Sequence, residues 1–134
     1  EGESLEFKEA LDKGRPERLA KTAVAFANTN GGKILFGVTA EGCVVGCELV
    51  GLADRVTNIL RSHCDPPIGC KTTIVNCAGT NVLLVEIAAS SLSVHVVKDH
   101  GPFIRANRTN RSPSAGELED LYERRTDSGI GFGG

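Results

Sequence analysis

Four carboxylates, Glu1, Glu3, Glu6 and Glu9, fall within the opening EGESLEFKE, and Lys8 stands two positions after Glu6. Glu1 and Glu6 converging beside a strand would offer a divalent cation the hard oxygen ligands it prefers. A cation held there polarises a phosphate oxygen, and Lys8 would stabilise the charge that develops. The same residues also read as a solvated strand edge whose charges prevent pairing with another chain. A second group is NTNGGK, from Asn28 to Lys33. Such a turn gathers backbone N–H groups and can hold an anion or a phosphate, or its glycines simply permit a tight connection. The third is KDHGPFIRANRTNR, where Arg105, Arg108 and Arg111 recur every three residues among Asn107 and Asn110. Residues 91–112 carry four Lys/Arg (Lys98, Arg105, Arg108, Arg111) against one acid (Asp99), a local charge of +3. Planar guanidiniums beside amides suit phosphate-backbone contact, and a solvated loop before a helix is the competing account.

Other chemistries find no support. The Gly-Gly turn follows a helix and precedes a strand, and in PPIGCKTT Cys70 separates Gly69 from Lys71, so neither is a triphosphate loop and no ATP site is expected. Cys43, Cys47, His63, Cys64 and Cys70 do not form two close ligand pairs, which argues against zinc. The five cysteines, with Cys77 the last, read as small apolar filler in a reducing compartment. No apolar run approaches the ~20 residues of a membrane span. A net charge of −2 announces no polyanion partner by itself, so the local distribution has to decide.

The elements that position these groups follow from periodicity. Leu5 and Phe7 alternate with Ser4, Glu6 and Lys8, which predicts a half-buried strand. Pro16 suits the first turn of a helix whose stripe is Leu19, Ala23, Phe26 and Ala27, and Gly31 can cap its end. KILFGV predicts a central strand, and AEGCVVG a turn with a second short strand. Leu52, Val56, Ile59 and Leu60 predict a helix that stops at DPP. KTTIVN and NVLLVEIA predict paired strands, and SVHVV with PFIRAN a further hairpin around KDHG. Ser114 and Glu117 form a capping box for a last helix with Leu118, Leu121 and Tyr122 inward. The expected fold is α/β (α+β), a mixed β-sheet with about three helices packed on it. One domain over residues 1–123 and a flexible Gly-rich tail over 124–134 are expected of the 134-residue chain. Aromatics are only 4%, so an aliphatic core is expected, and the absence of Met suggests a processed protein or, in preference, a segment of something longer.

EGESLEFKEAL, AFANTNGGKILFGVTAEGCVVGC and GPFIRANRTNRSPSAGELEDL, in this order over residues 1–122, resemble the Schlafen AlbA-like domain family. The resemblance implies a nucleic-acid-binding module, binding DNA or RNA, within a larger prokaryotic-type regulatory protein that acts in transcription. Lys8, Asn28, Arg105, Asn107, Arg108 and Arg111 would line its groove. In Schlafen nucleases a Glu pair in this first segment combines with an Asp after the G-V strand. By position the pair falls on Glu1 and Glu6, while Thr39 and Ala40 occupy the Asp region and Glu41 is one step away. A metal-dependent endoribonuclease using Glu1, Glu6 and Lys8, with Mg²⁺ or Mn²⁺ on Glu1, Glu6 and Glu41, is thus the alternative to a module without cofactor. A structural or protein-interaction lobe is the other. The animal Schlafen core uses two such lobes, so the resemblance also implies a homodimer, in the cytoplasm or, in a eukaryote, the nucleus.

Overall fold

The computed structural model describes residues 1–133, with side chains through Arg125. Four strands form the main sheet: β1 (Leu5–Lys8), β2 (Gly32–Phe36), β4 (Lys71–Cys77) and β5 (Thr80–Ile87), in the order β1-β2-β5-β4. β1 runs parallel to β2 and the other pairs are antiparallel, so the sheet is mixed. A parallel pair needs a crossover, and α1 (Pro16–Asn28) supplies it between β1 and β2. α2 (Leu52–Ser62) packs beside α1 on the same side. Three short strands, β3 (Cys64–Asp65), β6 (Val96–Val97) and β7 (Gly101–Pro102), make a second small sheet. β8 (Ile104–Ala106) and β9 (Thr109–Arg111) make a hairpin, and α3 (Ala115–Gly133) follows. The fold is α+β, three helices with mixed and antiparallel sheets, as the periodicity predicts.

Period-2 alternation divides the sheet into two faces. Ile34, Phe36, Leu83, Val85 and Ile87 point toward the helices and form one core with Leu19, Ala23, Phe26, Val56 and Leu60. Every residue of α1 from Thr22 to Asn28 is buried, because the sheet, α2 and the β8–β9 hairpin close on different sides of it. The stripe read from the sequence is therefore only part of what α1 buries. Its end uses Gly31, at φ 75°, whose N–H returns to Phe26 O at 2.7 Å.

Several local expectations change. Glu6, not Leu5 or Phe7, is the inward residue of β1: it pairs in register with buried Ile34 and is only 9% exposed. The short strand expected in AEGCVVG reduces to one isolated bridge between Val38 and Val44. PFIRAN is not one strand: it is interrupted at Phe103 between β7 and β8, and Asn107, at φ 55°, then turns the chain into β9. Tyr122 is 51% exposed, whereas Leu121 is buried as expected. Of the expected tail, residues 124–133 fall within α3, and Gly134 and the side chains after Arg125 lie outside the described residues. No helix among the described residues is long and apolar enough to cross a membrane.

Candidate functional site

β1, α1 and the β8–β9 hairpin meet at Glu6. Arg105, whose side chain is 0% exposed, donates through Nη1 to Glu6 Oε1 (2.6 Å) and to Asn110 Oδ1 (2.8 Å). Its Nη2 donates to Gly2 O (3.0 Å) and Leu5 O (3.3 Å), and its Nε donates to Gly2 O (3.1 Å). A guanidinium has five N–H donors, so every one is in use. The same group lies 4.9 Å from the centroid of the Phe26 ring. On the far oxygen of Glu6, Lys8 Nζ sits at 3.0 Å and Thr22 Oγ1 donates at 3.0 Å. Asn110 Nδ2 donates to Thr22 Oγ1 at 2.9 Å, which closes a ring of Arg105, Glu6, Thr22 and Asn110. Burial works to raise the Glu6 pKa, but the charge of Lys8 and hydrogen bonds from Arg105, Lys8 and Thr22 outweigh it and leave it below its ordinary value. A buried carboxylate with two cations on it is compensated and satisfied.

The carboxylates proposed as cation ligands do not come together. Glu1 accepts the backbone N–H of Phe7 at 3.1 Å, and Glu41 is exposed in the turn after β2. Among the described residues no group of three or more His, Cys, Asp or Glu could hold a metal ion. Glu6 has both oxygens committed to Arg105, Lys8 and Thr22, so the donor set does not fit Mg²⁺ or Mn²⁺. The His/Cys residues do not form such a group either, and all five cysteines are free. Burial pushes the Cys64 thiol up to about 12, which keeps it protonated and inert.

The six residues expected along a groove separate into two sets. Asn28 is 2% exposed: its Oδ1 accepts His95 N–H, and its Nδ2 donates to His95 O and Phe103 O. With Arg105 it belongs to the scaffold, joining α1 to the segment that leads into β8. Lys8 is half-buried on Glu6. Asn107 and Arg108 form the exposed turn between β8 and β9, and Arg108 makes no ion pair among the described residues. Arg111 makes a bidentate pair with Glu117 (2.8 and 2.7 Å). The expected capping box is present: Ser114 N–H donates to Glu117 Oε1 and Glu117 N–H to Ser114 Oγ. The Arg111 bond first, and then the Ser114 N–H, lower the Glu117 pKa to about 2. Thr22 escaped sequence reasoning, and Asn110 was read as an amide beside the guanidiniums, not as a partner of Thr22 and Arg105. The signal for Thr22 was a hydroxyl within the otherwise apolar TAVAFA run.

The Gly-Gly turn has a packing explanation. A Cβ on Gly31 would meet Ile87 O at 2.8 Å, and one on Gly32 would meet the Phe26 ring at 2.7 Å.

A model of the family "Schlafen, AlbA_2" matches residues 1–114. Two solved structures share the fold. The DIP2311 protein from Corynebacterium diphtheriae superposes with a TM-score of 0.72 at 19% identity, over 91% of this chain. This chain spans 27% of the length of that one. The N-terminal domain of a protein from Nitrosomonas europaea related to the ATP-dependent DNA helicase RecG gives a TM-score of 0.59 at 21% identity, over 86% of this chain and 84% of that one. No curated protein matches the chain in sequence.

Proposed function

Because the chain belongs to the Schlafen AlbA_2 family, we propose that it is a nucleic-acid-binding module of a larger regulatory protein. The observation that carries the reading is the locked β8–β9 hairpin. Arg105 fastens β8 to β1 with all five donors, and the Arg111–Glu117 pair ties β9 to the start of α3. Arg108 is left exposed at a preset turn next to Asn107, with no ion pair among the described residues. Phosphate contact needs a cation presented at low ordering cost, and this hairpin provides one. The RecG-related neighbour adds a likeness to a protein named for DNA work. An extended footprint calls for a second lobe, from the rest of the parent chain or from a second copy. The committed oxygens of Glu6 weigh against the endoribonuclease alternative.

Labelled single-stranded DNA, duplex DNA and hairpin RNA, titrated at two salt concentrations with and without Mn²⁺ and then run on a gel, test this. Salt-sensitive binding to intact ligand is expected, with Arg108→Ala reducing the log–log salt slope by about one. Binding that is absent at low salt would overturn it and leave a protein-interaction lobe. Mn²⁺-dependent cutting that is lost in Glu6→Gln would restore the enzyme.

A further inference from the structure

The face of the sheet turned away from α1 and α2 carries an unexplained row. Leu5, Lys33, Glu86 and Lys71 are aligned in register across β1, β2, β5 and β4. Each alternates with a residue that points at the helices, so all four share the outer face. Three consecutive columns therefore read plus, minus, plus. Strand spacing puts the two lysine Cα atoms about 10 Å apart with Glu86 between them. None of the three makes an ion pair among the described residues. The row lies in the wall of a cleft of ≈ 760 Å³, within the range of small-ligand sites. Leu5, Ala88 and Ala89 give the cleft apolar surface, and Asn30 and Ser4 add polar groups at one end.

We infer that this cleft receives one unpaired nucleotide of a single strand, with phosphates on Lys33 and Lys71 and the amino group of the base on Glu86. The charge order selects that ligand. A ligand negative throughout meets Glu86 and is repelled, whereas a nucleotide step is negative at its two ends and carries a donor between them. A carboxylate accepts from the exocyclic amine of cytosine but finds no amine on thymine or uracil. The lysines act as point charges for phosphate, and the apolar surface takes the face of the base. The inference rests on the nucleic-acid reading and deepens it, because Arg108 carries no base information whereas Glu86 reads a base edge.

The test uses labelled oligo(dC) and oligo(dT) of equal length, with the ribo pair oligo(C) and oligo(U), at neutral pH and several salt concentrations. Wild type is expected to prefer the cytosine member of each pair about tenfold. Glu86→Gln removes the preference. Lys33→Ala with Lys71→Ala lowers the salt slope by about 1.4, the value for two phosphate contacts on a single strand. Gly69 lines the cleft and a Cβ there meets nothing within 4 Å, so Gly69→Leu adds bulk at the cleft without altering charge. It removes the preference as well. Arg108→Ala weakens all four ligands and keeps the preference. Wild type that binds every oligonucleotide with no preference overturns this inference alone, as does a salt slope indifferent to both lysines. Wild type that binds none of them at low salt overturns it together with the proposed function.

Discussion

Replacing Arg105 by alanine separates a scaffold role from a phosphate contact. The substitution removes five donors at once from a side chain that is 0% exposed. Gly2 O and Asn110 Oδ1 lose their partner, Leu5 O keeps only the Gly2 N–H, and Glu6 keeps only Lys8 and Thr22. Breaking one side of a buried pair costs about 3–5 kcal/mol, chiefly because the other charge stays buried. A domain of this size has roughly 5–15 kcal/mol in all. At about 4 °C per kcal/mol, the midpoint of thermal unfolding falls by roughly 12–20 °C. Circular dichroism melts and urea titrations of Arg105→Ala, Arg105→Lys and Arg108→Ala measure it. Arg105→Lys recovers only part of the loss, since an ammonium has three donors and cannot span four acceptor atoms. Arg108→Ala stays within about 0.5 kcal/mol of wild type, as an exposed side chain with no ion pair among the described residues should. An Arg105→Ala protein as stable as wild type but unable to bind nucleic acid would refute the reasoning.

Glu6 gives a pH signature. Its folded pKa lies below the ordinary 4.5, so the unfolded chain takes up the proton first as pH falls. The stability it contributes is complete above the ordinary carboxylate range and is lost as pH drops through its folded value, and urea midpoints of wild type and Glu6→Gln should converge over that interval. Asn28→Ala leaves His95 N–H and two carbonyls without the amide that serves them, and should cost about 2 kcal/mol by urea titration. Gly31→Ala forces a side chain onto a left-handed residue and against Ile87 O at 2.8 Å, at a cost of about 1–3 kcal/mol in the same assay. Gly69→Ala serves as its neutral control.

The helices and the main strands were legible because their signals are local. Leu52, Val56 and Leu60 bury the face their spacing shows, and Ser114 with Glu117 caps α3 through bonds three residues apart. Glu6 and Arg105 were visible as charged residues but not as partners. Ninety-nine positions separate them, and no periodicity encodes a pairing of that reach. Alternation correctly assigned Leu5 and Glu6 to opposite faces of β1, yet it could not say which face meets α1. That choice is made by Thr22, Arg105 and Asn110, which supply enough polar partners to make a buried carboxylate tolerable. The β8–β9 turn was hidden for a different reason: Asn107 turns with φ 55° without the glycine that usually marks such a hairpin.

The long reach of that clamp also sets an order of assembly. Of the described strands β1 is made before the others, and its partner strand β2 follows after one helix, so the parallel pair can meet early. Until residue 105 has emerged, however, Glu6 has only Lys8 and Thr22 to accompany it into the interior. A nascent chain stopped short of β8 would therefore hold this strand loosely, with Gly2 O still taken by water. Arrival of a single guanidinium converts that loose strand into a fixed one. The first described strand is finished by a residue ninety-nine positions further along the chain.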